Sequence, residues 1–190
     1  GRGKQQDSLK DYCEINYPEA KNDLANVFLE RCLELSRDQG AGVVQIVMPQ
    51  NWLFLTGYRN QRESLLKRVQ FNFVTLLGPK GFQTPMWDFN VQLLTLTLAP
   101  ADVDFQLRGL DVAAAKTAQT KATQLPQAKL VAVSQYDQLE NPDAAIVLAK
   151  RSNAPMLARV AGSYQGISTG DNPRFVLYTW ELPHKGSDFS

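Results

Sequence analysis

Three features of the chain predict an α/β fold on a mixed sheet. Helical periodicities alternate with short apolar strands through residues 1–100. The stretch VVQIVMP, from Val43 to Pro49, is apolar and β-branched almost throughout, the pattern of a strand covered on both faces in a parallel sheet. Two later runs, VQFNFVTLL and FNVQLLTLTLA, lie close enough in sequence to pair antiparallel. Helices interleaved with buried strands indicate a doubly wound sheet, with which one antiparallel strand is compatible.

The elements follow in order. Leu9 to Ile15 gives at most a short helix, ended by a turn at Tyr17-Pro18. From Asp23 the periodicity sharpens: Leu24, Val27, Phe28, Cys32 and Leu35 share one helical face. Asn22 or Asp23 can cap this helix, because a short polar side chain accepts the orphan N–H groups, and Gly40 and Gly42 stop it. After the strand at Val43, a second helix is expected over Thr56 to Lys67, with Tyr58, Arg62, Leu65 and Leu66 on one face. The loop GPKGFQTPMWD joins the two antiparallel runs. Beyond Pro100 the character changes. VAAAKTAQTKATQL reads as an exposed helix, KLVAVSQYDQL as a short strand and turn, and NPDAAIVLAKR as a helix entered at Asn141-Pro142. A domain boundary is therefore expected near residue 100, with an α+β extension over 101–190.

Composition narrows the function. The chain has 190 residues, 44% hydrophobic and 21% charged, with a formal net charge of +1. That is globular, and it argues against a surface wholly devoted to nucleic acid while leaving room for a local basic groove. A single histidine, His184, removes most metal-site and Ser-His-Asp readings. Cys13 and Cys32 make no CxxC pair and are too few for a disulfide framework. No apolar run reaches membrane-spanning length and the first residues are not a signal peptide, so the expectation is a cytoplasmic protein with no membrane partner.

The succession DLANVFLERCLELS, GAGVVQIVMPQNWLFL, YRNQRESLLKR and FNFVTLLGPKGF resembles the part of a gamma-type N6-adenine DNA methyltransferase that follows its catalytic Asn-Pro-Pro-Tyr motif. More narrowly, it resembles the PglX methyltransferases of BREX phage defence and the fused restriction–methylation enzymes. GRGK resembles the loop after the catalytic motif, MPQNWLFLTGYRNQRESLL a conserved block with its helix, and GISTGDNPRFVLYTWEL the passage into target recognition. The resemblance spans most of the chain except roughly 101–128. It implies the second half of a Rossmann-like methyltransferase sheet over 1–100, and over 101–190 a linker and the start of target recognition. It also implies S-adenosyl-L-methionine as cofactor, double-stranded DNA and the upstream half of the domain as partners, and an exposed edge that invites a homo-oligomer. Neither Asn-Pro-Pro-Tyr nor a glycine-rich cofactor motif occurs in this sequence, so no catalytic residue is assigned and the chain alone is expected to be inactive. The alternative is a non-catalytic α/β module that binds DNA or protein.

By the same resemblance, Phe28 matches a position whose ring packs on the adenine of the cofactor; periodicity alone favours a core residue, and the resemblance brings the two readings level. Phe82 matches the position that stacks on the flipped target adenine, or it plugs the sheet edge. Stacking would offset part of the cost of extruding a base, at about 1–3 kcal/mol per base. Lys80, with Arg59, Arg62, Lys67 and Arg68, could line a phosphate-binding face; for Arg62 and Lys67 a solvated helix face is the preferred reading. In STGDNPRF, Asn172 and Arg174 suit base edges or phosphates beside Thr169 and Asp171, although the same residues are good turn chemistry. Glu30 and Glu34, four apart on a helix, are expected to face water beside Arg31.

Overall fold

The structure, a computed structural model, describes residues 3, 5–37, 42–83, 89–149 and 160–162. The chain divides into two compact units, residues 1–150 and 151–190, and the elements below belong to the first. They are helices α1 (Asp7–Asn16) and α2 (Leu24–Arg37), strand β1 (Val43–Pro49), helix α3 (Arg59–Arg68), strands β2 (Gln70–Gly78), β3 (Val91–Thr97) and β4 (Gln106–Asp111), helix α4 (Ala118–Gln124), strand β5 (Val131–Ser134) and the single turn α5 (Gln135–Gln138).

The five strands form one mixed sheet in the order β1-β3-β2-β4-β5. Strand β3 is antiparallel to both its neighbours, β4 runs parallel to β2, and β5 is antiparallel to β4. Hence β1, β2 and β4 point one way and end at the same side of the sheet. Alternation along the strands sends Val44, Met48, Phe71, Val74, Leu94, Leu96, Leu107 and Val133 into one core, where Leu29 and Leu33 of α2 and Leu65 and Leu66 of α3 meet them. Each such fully buried side chain contributes about 1.5–3 kcal/mol relative to exposure. Trp52 lies in this core, stacked on Phe71 at 6.3 Å between ring centroids. Its indole N–H donates to Gln61 Oε1 at 3.0 Å, as a buried indole requires. A second, smaller cluster joins Cys13, Tyr17 and Ala20 to Val27 and so fastens α1 to α2. Asp23 caps α2, its Oδ1 accepting from the Ala25 N–H at 2.9 Å.

Several expectations are corrected. β1 is not sandwiched among parallel strands; it is the sheet's edge, and Val43 and Val47 on its outward side are 60% and 45% exposed. The buried stripe of α2 is Asn26, Leu29 and Leu33 with Val27, whereas Phe28 and Leu35 face out. The helix carries two overlapping apolar stripes, and the sheet takes the one spaced i, i+4 from Leu29. The alanine-rich run yields only the seven residues of α4. No helix begins at Pro142; a 3-10 turn there breaks where Asp143 and Ala144 adopt φ of 54° and 50°, a region costly for residues with a Cβ. The boundary expected near residue 100 falls inside the sheet, because β4 hydrogen-bonds to β2 across it.

Candidate functional site

The ends of β1, β2 and β4 form the side of the sheet where polar loops gather. Pro49 and Gly78 both pair with Val91, so the end of β1, the end of β2 and the start of β3 meet in register. At Gly78 the chain turns with φ +66°, and a Cβ there would come 2.7 Å from Ala113 Cβ in the loop after β4. Only glycine fits that turn. Lys80 follows at φ 56°, exposed. Gly81 packs against Val91, and Phe82 stands 43% exposed. Phe82 is therefore not a core residue; its ring sits in the loop at the tips of three co-directional strands.

Beside it, at the end of β1, Asp23, Pro49, Gln50, Asn51, Phe54, Phe89 and Asn90 line a cavity of about 610 Å³. The Gln50 N–H donates to Asn90 O at 2.9 Å, tying its two walls together. The side-chain oxygens of Gln50 and Gln92 are buried without a hydrogen-bond partner among the described residues; an orphan acceptor is unfavourable unless a donor arrives. Gln92 donates with its other end to Pro49 O at 3.3 Å. The lining thus offers amide groups and two half-exposed aromatic rings, Phe54 and Phe89. Asp23 was expected only as a helix cap, and Pro49, Gln50, Asn51 and Phe54 only as part of the MPQNWLFL block; none was expected to line a site. Their one visible signal is the Gln-Asn pair directly after a strand's C-terminal Pro49.

Phe28 lies one turn into α2, whose first residue follows the cavity-lining Asp23, and is 58% exposed. The core reading of Phe28 fails, and a free aromatic face remains.

The five candidate phosphate binders are not one face. Arg59 donates to Glu63 at 2.7 Å, and Arg68 pairs with Glu30. Arg62 is fully buried, against the solvated reading. It donates to three main-chain carbonyls: Trp52 at 2.5 Å, Asp143 at 2.7 Å and Ala144 at 3.2 Å. Burial lowers its pKa, partly countered by Asp143 and Glu63. Lys67 and Lys80 stay exposed. Glu30 does not face water either; besides Arg68 it accepts from Gln61 Nε2 at 3.0 Å. Glu34 accepts from Arg31 and from the Tyr17 hydroxyl, each at 2.9 Å. Burial, then that carboxylate, pushes the Tyr17 phenol up to about 12. Thr169, Asp171, Asn172 and Arg174 lie outside the described residues.

Residues 2–82 match the family model of the Eco57I restriction-modification methylase. The match spans 81 of the chain's 190 residues. The methylase match ends at Phe82 itself, so the GISTGDNPRF block is not within it. Over 82 residues the chain is 32% identical to the adenine-specific methyltransferase BrxX of Escherichia coli O9:H4 (strain HS), covering 43% of this chain and 7% of that protein. Two solved structures overlap parts of the fold. One, from a study of complex assembly in a type I R-M system, has a TM-score of 0.42 at 15% identity, over 63% of this chain and 31% of that one. The other, the M protein of the type I restriction enzyme EcoKI, has a TM-score of 0.31 at 15% identity, over 42% and 20%. Among the described residues no helix is long and apolar enough to cross a membrane.

Proposed function

We propose that this chain forms the C-terminal part of the catalytic domain of an S-adenosylmethionine-dependent DNA adenine-N6 methyltransferase of the restriction-modification or BREX kind. The observation that carries the reading is the Phe82 turn at the tips of β1, β2 and β4, at the end of the methylase match. A base modified inside a duplex must leave its stack, and a half-exposed ring in a glycine-braced turn is a platform for it. Lys80, next to it, would contact the backbone, and Asn172 and Arg174 would add contacts to the DNA. The orphan acceptors near the cavity suit a ligand rich in N–H donors.

For the cofactor, the fit rests on one group: the free face of Phe28 offers an apolar wall to a purine. When bound, S-adenosylmethionine supplies an electrophilic methyl group. This chain's share is to wall the purine and hold the target base, while residues outside it orient the attacking amine. The outer edge of β1 is the surface for the upstream half: it ends the sheet, and its outward valines are exposed. Left open, such an edge invites a second copy. The region after residue 100 would lead into target recognition, with β4 and β5 anchoring it to the methylase sheet.

The test is methyl transfer to adenine-containing duplex DNA. The 190-residue chain alone transfers none. Joined to a methylase half that carries Asn-Pro-Pro-Tyr, it becomes active, and Phe82→Ala then lowers kcat/KM by about 5- to 150-fold, the worth of one stacked base. Robust turnover by the chain alone overturns the placement.

A further inference from the structure

The cations of this chain are unevenly satisfied. Lys10, Lys21, Arg31, Arg59 and Arg68 each sit against a carboxylate. Lys80, Lys116 and Lys129 are exposed and make no ion pair among the described residues. Strand order puts these three on one side of the sheet. Lys80 is in the turn after β2, Lys116 in the loop after β4, and Lys129 just before β5, which starts where β4 ends because Val131 pairs with Gly109. β2, β4 and β5 are consecutive neighbours, so the row spans two interstrand spacings, about 10 Å.

The middle of the row is held in shape. The Val112 N–H donates to Leu76 O at 3.0 Å, and Gly78 closes on Ala113, so the loop after β4 is docked on the Phe82 turn. From inside, the buried Lys121 ammonium donates to the carbonyls of Val112, Ala113 and Ala115 at 3.2, 3.2 and 2.5 Å. Asp111 is the single acid in segments 78–83, 111–117 and 128–130. Its Oδ1 accepts from the Ala113 N–H at 2.9 Å, and its charge faces Lys121. The positive charge of the row is thus left uncancelled.

We infer that Lys80, Lys116 and Lys129 form a phosphate-contacting track for duplex DNA along the strand-tip edge, extending the base site through a region that the methylase match does not reach. This rests on the reading that Phe82 meets a base at the same edge. At about 3.4 Å of rise per nucleotide, a row of about 10 Å faces about four successive phosphates of one strand, within which each lysine can reach one.

The test is fluorescence anisotropy of a labelled duplex with the full 190-residue chain at 50 to 200 mM salt. Three contacts predict a slope near −2.7 and about a 40-fold loss of affinity across that range. Lys80→Ala, Lys116→Ala and Lys129→Ala each flatten the slope by about 0.9. Lys67→Ala, at the opposite end of β2, leaves it unchanged. Unchanged slopes for Lys116→Ala and Lys129→Ala overturn the track, even if Phe82→Ala weakens binding and so upholds the base site. Flattened slopes with an inert Phe82→Ala uphold the track and count against the base site instead. No binding at 50 mM salt overturns the track.

Discussion

Two buried cations, Arg62 and Lys121, hold three main-chain carbonyls each, yet they do different work. The planar guanidinium of Arg62 spans segments that are distant in sequence, joining Trp52 to Asp143 and Ala144. The ammonium of Lys121 gathers carbonyls from one loop only, Val112 to Ala115. Neither has a carboxylate as hydrogen-bond partner among the described residues, so neither is a salt bridge in the usual sense. A fork with five fixed donors can bridge two elements, whereas a point charge can only draw a loop around itself. The comparison assigns Arg62 to the fold and Lys121 to the shape of an edge.

The largest effect separating them is on stability. Arg62→Met leaves two buried segments without donors and is expected to cost about 3–5 kcal/mol. Arg62→Lys keeps the charge but reaches fewer carbonyls, recovering less than half of that loss. Denaturant unfolding measures both; a full rescue by lysine would erase the distinction between fork and point charge.

Lys121→Met is expected to cost less, about 1–2 kcal/mol, because the loop it gathers can meet water. The pH dependence sharpens the contrast. Burial depresses the Lys121 pKa, with Asp111 opposing. The unfolded chain therefore binds this proton more tightly than the folded one. Stability should rise with pH between the depressed value and the ordinary 10.5, and should lose nothing there as the proton leaves. That rise should vanish in Lys121→Met and persist in Arg62→Lys. An unaltered alkaline limb in Lys121→Met would show that its ammonium is not the titrating group.

The smallest effect lies in the turn that Arg62 grips. Ala144 sits at φ 50°, and Ala144→Gly should relieve roughly 0.5–1 kcal/mol of backbone strain, net of the glycine's extra unfolded entropy. The gain should survive when Arg62 is replaced only if the turn holds its shape unaided. A double-mutant cycle decides that.

Much of the first hundred residues was legible because hydrophobic period is a local property. α1, α2, α3 and the antiparallel pairing of β2 with β3 follow from it. The edge position of β1 does not, since Val43 and Val47 look the same whether covered or open. Arg62 stands on the expected helix face, beside Leu65 and Leu66, but is buried rather than solvated; two of its three acceptors lie 81 and 82 residues away from the side chain that needs them. The helix expected from Asn141-Pro142 failed for a related reason, because tertiary carbonyl contacts impose a conformation that local propensity opposes. At the site, the GPKGFQ segment was legible as a loop between two strands, while Phe82 within it was singled out by resemblance alone. The cavity and the lysine row were not, for Gln50 and Asn90, or Lys80, Lys116 and Lys129, share no spacing until the strands are put in order.

The grip of Arg62 on residues 143 and 144, with the Ile146 N–H donating to Leu53 O at 2.9 Å, also sets a timetable. During synthesis the guanidinium emerges long before its acceptors at Asp143 and Ala144. At about 5–20 residues per second, some 4–16 seconds separate the two. Until then the nascent chain carries a charged group destined for its interior with only the Trp52 carbonyl, one of its three acceptors, made to receive it. A ribosome paused before residue 146 should hold a chain that proteases still cut near Trp52.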